Sequence, residues 1–140
     1  MRGSDKGERI RVLLAKLGLD AHYSGMQLVA YTLRNHGMEV IYAPPEQTPE
    51  AIAEIALQED INVLGLSLHC GNHLLLLPQC VKHLREKGKG DALVIAGGII
   101  PEEDRAFLKA AGIVEIWGPG EPTRKIAKFI EDYFACPSPR

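Results

Sequence analysis

Arg11-Val12-Leu13-Leu14-Ala15-Lys16-Leu17, followed at once by Gly18-Leu19-Asp20-Ala21-His22-Tyr23-Ser24-Gly25, is the stretch whose reading decides the fold. From Val12 to Leu17 only Lys16 is charged, and polar and apolar residues do not alternate. A strand with one wet face alternates, whereas an unbroken apolar run suits a strand covered on both faces, as in a parallel sheet. Small and polar residues then lead into Met26, Val29, Ala30 and Leu33, spaced for one face of a helix over residues 26–36. Gly37 is placed to stop that helix. Strand, loop and helix make the first half of a crossover unit, and the rest of the chain repeats it.

Residues 39–43 read as a short second strand. Thr48-Pro49-Glu50 opens a helix, with a capping hydroxyl, a proline suited to the first helical position and a carboxylate at the positive end of the dipole. Ile52, Ile55 and Ala56 supply its apolar face. A strand over 61–68, a helix over 72–87 closing at Gly88 and a strand over 92–96 follow. Pro101-Glu102-Glu103-Asp104 starts a helix over 101–111 that ends at Gly112. A strand over 113–117 and a helix over 123–134, with Ile126, Ala127 and Ile130 on one face, complete the set. Strands alternating with helices demand right-handed crossovers and a parallel sheet with helices on both sides. The expected architecture is therefore α/β, a flavodoxin-like (Rossmann-like) doubly wound five-stranded parallel sheet of order 2-1-3-4-5. Its ligand crevice lies over the carboxyl ends of strands 1 and 3. Residues 10–134 are read as one domain, with 1–9 a disordered lead and 135–140 a disordered tail.

Bulk properties exclude several function classes. A net charge of −2 with mixed signs leaves no basic stripe for nucleic acid. No apolar run, residues 74–78 included, is long enough to cross a bilayer, and residues 1–8 lack the apolar region of a signal peptide. Cys70, Cys80 and Cys136 form no C-x-x-C pair, which suits plain thiols in a reducing, cytoplasmic setting.

The chemistry gathers at the expected crevice. His22 lies on the loop after strand 1, with Asp20 two positions earlier to fix its tautomer, as in metal-ligating histidines. Gly25, three residues on, lets the backbone approach a bulky group. The other rim segments are small as well: Ser67-Leu68-His69-Cys70-Gly71, Gly97-Gly98, and Gly118-Pro119-Gly120 after Trp117. Together they describe a long slot lined by backbone, suited to a flat ligand inserting edge-on between strand ends. His36, His73 and His83 fall at or within helices and are expected to have no role, while Ile99 and Ile100 are expected in the core.

Asp20-x-His22-x-x-Gly25, Ser67 and Gly97-Gly98, in this order, resemble the D-x-H-x-x-G, S-x-L and GG signature of the cobalamin-binding domain. The context from Leu14 to Asp20, Gln47-Thr48-Pro49-Glu50 and the run from Ala96 to Pro101 is similar to the adenosylcobalamin-dependent acyl-CoA mutases, including their split forms with a separate small subunit. The resemblance covers about residues 10 to 133. It implies adenosylcobalamin as cofactor, His22 as the lower axial ligand of its cobalt, Asp20 accepting the other imidazole N–H, and Lys16 pairing with Asp20. It also implies that Ser24 and Gly25 admit the displaced nucleotide tail, that Ser67 hydrogen-bonds its benzimidazole, and that Gly97 and Gly98 leave room for the ring. His69, Gly71, Trp117, Gly120 and Glu121 complete the implied cofactor-binding set, with no catalytic side chain of the protein's own. The implied partner is a large substrate-binding subunit of the TIM-barrel type, without which the chain does not turn over; no nucleic acid or membrane is involved.

The chain departs from the family pattern at three places. Ala21-His22-Tyr23-Ser24-Gly25 stands where Gly-His-Asp-Arg-Gly is usual, His69 replaces the leucine of S-x-L, and Glu121 stands where threonine is common. A stand-alone corrinoid carrier or methyl-transfer corrinoid protein is the alternative. A receiver-type signalling domain would need a phosphoacceptor aspartate after strand 3, where the chain has Ser67-Leu68-His69.

Overall fold

Five parallel strands in the order β2-β1-β3-β4-β5 form the centre of the computed structural model. They are β1 (Arg11–Lys16), β2 (Glu39–Tyr42), β3 (Val63–Leu68), β4 (Leu93–Gly98) and β5 (Glu115–Trp117). The helices between and after them are α1 (Ser24–Asn35), α2 (Pro49–Glu59), α3 (His73–Glu86), α4 (Glu102–Ala110) and α5 (Thr123–Ala135). The structure describes residues 9–17, 24–44, 47–68, 73–118 and 120–135. The expected topology is the observed one, and among the described residues no helix is long and apolar enough to cross a membrane.

The alternation of side chains along each strand sorts the apolar residues into two layers. Leu13, Ala15, Leu64, Leu66, Val94, Ala96 and Ile116 pack against Ile52, Ala56, Leu77, Leu84 and Leu108 of α2, α3 and α4. Val12, Leu14, Val63, Leu93, Ile95 and Trp117 pack against Ala30, Leu33, Ile126, Ala127 and Ile130 of α1 and α5. Strands buried on both faces explain why the sequence shows apolar runs rather than alternation. On the second side, α1 and α5 are joined by Thr32 Oγ1 and Thr123 Oγ1 at 2.7 Å and by His36 Nδ1 and Glu131 Oε2 at 3.0 Å. His36 thus helps to join α1 to α5, and His83 lies 3.4 Å from Glu86 within α3.

Local signals behave as read. The Thr48 hydroxyl accepts from Ala51 N at 3.1 Å and Pro49 begins α2. Gly37, at φ +87°, ends α1 in the left-handed conformation that glycine adopts freely. Most element ends shift by a residue or two from the sequence reading, and three of the differences bear on the site or the domain bounds. β3 begins at Val63, because Ile61 N donates to Ala56 O at 3.2 Å and so closes α2. β4 runs through Gly97 and Gly98, which pair with Ser67 and Leu68 of β3 and are strand rather than loop. α5 reaches Ala135, one residue into the segment read as tail. A further correction concerns Ile99: Ile100 is buried, but Ile99, the first residue past the end of β4 at Gly98, is 69% exposed.

Candidate functional site

The strand register sets the site. Lys16 of β1 pairs with Ser67 of β3, Ser67 with Gly97 of β4, and Gly97 with Trp117 of β5. These residues share the α1/α5 side of the sheet, since each lies an even number of positions from Leu14, Val63 or Ile95. One row at the carboxyl end of the sheet therefore reads cation, hydroxyl, bare backbone, indole. At about 4.8 Å between strands the row spans roughly 14 Å. Four positions separated by up to a hundred residues in sequence are thus brought onto one line by the register alone.

Each member has its own physical state. Lys16 is 3% exposed, the one charged side chain buried among the described residues, and it is engaged rather than free. An ammonium leaves water only where anionic or carbonyl oxygens meet it, so its burial argues against a plain surface lysine. Trp117 is 9% exposed and meets Phe129 of α5 edge-to-face at 5.4 Å between ring centroids. Ser67 is half-buried, and its carbonyl accepts from Leu17 N at 3.0 Å, which ties β1 to β3 just at the rim.

The two glycines of β4 differ in kind. Gly98 has φ +143°, and a Cβ there would collide with the Leu68 carbonyl oxygen, so the fold itself requires glycine. Gly97 has no such conformation, and its nearest neighbour would be Trp117 O at 3.6 Å, an ordinary contact. A strand glycine costs about 0.5–1 kcal/mol relative to alanine. Gly97 is therefore bare without a reason internal to the described structure, which is how a strand looks where a ligand comes close.

Among the remaining expected site residues, Gly120 has φ +88° in the turn before α5. The Glu121 carboxylate is exposed and accepts weakly from Gly118 N at 3.4 Å, bracing its own turn. Ser24 and Gly25 form the first turn of α1. Asp20, His22, His69 and Gly71 lie outside the described residues. The sequence reading missed Leu14 and Gly65, which lie on the same sheet face two positions below Lys16 and Ser67. A glycine inside the otherwise bulky run from Val63 to Leu68 was the available signal. Cys80 has no part in this: burial pushes its thiol up to about 12, keeping it neutral and inert.

The row thus sets a buried cation, a hydroxyl, a bare strand and an indole side by side at the carboxyl end of the sheet. A family profile described as B12 binding domain matches residues 10–127. Over 127 residues the chain is 45% identical to the 2-hydroxyisobutanoyl-CoA mutase small subunit of Aquincola tertiaricarbonis, spanning 91% of this chain and 93% of that one. It is 41% identical to the pivalyl-CoA mutase small subunit of Xanthobacter autotrophicus, spanning 86% of this chain and 81% of the relative. The methylmalonyl-CoA mutase of Escherichia coli is 40% identical over 85% of this chain, which matches 17% of that longer protein. Among solved structures, a cobalamin-binding protein from Desulfitobacterium hafniense superposes with a TM-score of 0.77 at 20% identity, over 90% of this chain and 60% of that one. A response regulator from Thermotoga maritima, at 0.68 and 15% identity over 92% of this chain and all of its own, shares the fold alone.

Proposed function

Since the chain belongs to the B12-binding domain family, we propose that it is the cobalamin-holding small subunit of a split acyl-CoA carbon-skeleton mutase, an isomerase. The observation that carries this reading is the row Lys16, Ser67, Gly97, Trp117, in which the fold leaves Gly97 bare although nothing among the described residues forbids a side chain. The relatives matched along most of their own length are small subunits, which argues for a larger partner that binds the thioester. In this reading the partner is a TIM-barrel-type subunit, the cofactor is the adenosyl form, the pair works in the cytoplasm, and this chain does not turn over alone.

Cobalamin, when bound, supplies cobalt–carbon bond homolysis; that chemistry is the cofactor's, while the protein provides binding, orientation and axial electronics. His22 would ligate the cobalt. Asp20 would accept the other imidazole N–H and so hold the tautomer, and the buried Lys16 ammonium would fix the Asp20 carboxylate in turn. Ser67 would hydrogen-bond the base, Gly97 would give its ring room beside the strand, and Trp117 would close the far end of the row. His69 lies two residues beyond Ser67, where it would meet the tail near its mouth.

The test is spectroscopic. Wild-type protein is expected to bind cobalamin with its own base displaced and histidine on cobalt, and His22→Ala should lose the histidine-ligated absorption spectrum. An unchanged spectrum in His22→Ala would remove His22 from the axial role.

A further inference from the structure

Two residues below the row that holds Lys16, Ser67 and Gly97, the same sheet face carries Leu14, Gly65 and Ile95 side by side. Leu14 and Ile95 are buried, at 4% and 5% exposure. The strand between them offers only backbone. A Cβ on Gly65 would lie 2.8 Å from Leu14 Cδ2 and 3.9 Å from Ile95 Cγ1, with no backbone atom closer than Leu13 O at 3.9 Å. Leu14 therefore leans across β3, and one of its methyls takes the place that a side chain at position 65 would occupy.

The backbone does not require this glycine. Gly65 has no positive φ, and the obstructing atom is the far end of a flexible side chain rather than main chain. Leucine methyls move between staggered wells, so a shift of this stop needs no change in the backbone. With the methyl over Gly65 the floor is high; with the methyl turned away, the bare strand becomes the floor and the slot deepens. The level lies two residues, roughly 6.6 Å, beneath the Ser67 row, about the depth to which a bicyclic base inserted edge-on from the rim would extend.

We propose that Leu14 and Gly65 form the floor of the slot and set the size of the lower base that the protein accepts, Leu14 as the movable stop and Gly65 as the notch beneath it. The proposal rests on the reading of this slot as the seat of the cofactor's nucleotide tail. It concerns a choice among cobamides, which differ in that base, and leaves the axial chemistry untouched.

Binding of three probes separates the possibilities: cobalamin with its dimethylbenzimidazole, the cobamide with unsubstituted benzimidazole, and cobinamide, which has no base. Quenching of Trp117, the single tryptophan of the chain, reports binding from within the same row. One methylene more or less in an apolar pocket is worth about 10–200-fold in discrimination. Gly65→Ala should therefore weaken cobalamin by about tenfold or more relative to the benzimidazole form, with cobinamide affinity unchanged. Leu14→Val, which shortens the stop without emptying the site, should shift the ratio of the two bases the opposite way, and it reads the proposal independently if Gly65→Ala folds poorly. Equal changes for all three probes, or no change in the ratio in either variant, would overturn the proposal. If the wild-type protein binds cobinamide as tightly as cobalamin, the tail-slot reading itself fails, and that result is distinct from a failure of the floor.

Discussion

Gly97 and Gly98 are adjacent, identical in type and equally part of β4, yet they have different reasons to be glycine. At Gly98 the conformation, φ +143°, and the Leu68 carbonyl exclude any side chain. At Gly97 a methyl group would meet nothing among the described residues closer than 3.6 Å. Gly98→Ala should destabilise the protein by about 2–3 kcal/mol or prevent folding, from strain and overpacking together. Gly97→Ala should leave stability unchanged or raise it by up to about 1 kcal/mol, while weakening cobalamin binding. Urea unfolding and cobalamin titration of both variants check this; a Gly97→Ala protein that binds cobalamin like wild type would show that its bare backbone has no ligand to serve. The motif Gly-Gly is legible in sequence, but the division of labour inside it is not, because it depends on Leu68 and Trp117 in neighbouring strands. Lys16 makes the same point: its position at a strand end reads equally well as surface, and only its burial at 3% exposure decides.

β5 is the shortest strand, three residues long, and it carries Trp117 to the end of the row. Side chains from α4 hold it. Lys109 Nζ lies 3.0 Å from Glu115 Oε1, and Arg105 Nη1 donates weakly to Ile116 O at 3.4 Å. Burial pushes the Glu115 carboxyl up, but hydrogen bonds from Lys109 and the Ile116 N–H, with the charges of Lys109 and Arg105, outweigh burial and hold it below its ordinary 4.5. A carboxylate whose folded value is depressed stabilises the fold above its unfolded value, and that contribution is lost as pH falls through the folded one. Wild type should therefore melt higher than Glu115→Gln at neutral pH, and the gap should close as pH drops below 4.5. A gap that persists at low pH would mean that packing rather than charge holds β5. The helices were readable at this scale from caps and dipole signals, such as Thr48 with Pro49, because these act within one turn. Strand ends were less so, since Ile61 and Gly97 take their state from hydrogen bonds to α2 and β3.

At the scale of the whole molecule, the proposed ligand seat lies between the sheet and the α1/α5 layer, which meet through apolar packing and through Arg34 Nη2 donating to Val40 O at 3.0 Å. Ligand bound only by the folded state raises stability by about 2.7 kcal/mol at a hundredfold excess over its dissociation constant. Cobalamin should therefore raise the melting temperature by several degrees, and Gly97→Ala should reduce that shift; no shift at saturating cofactor would place the ligand outside the core. The residues by themselves determined the number, order and type of the elements and the parallel sheet. Those properties follow from local periodicity, turn residues and the handedness of crossovers, which act over a few positions at a time. Only the tertiary structure decided that Lys16, Ser67, Gly97 and Trp117 stand in one row, that Ile99 faces outward, and that Leu14 reaches over Gly65. A slip of one residue in register would turn each of those side chains to the opposite face, and register is set by contacts between strands far apart in the chain.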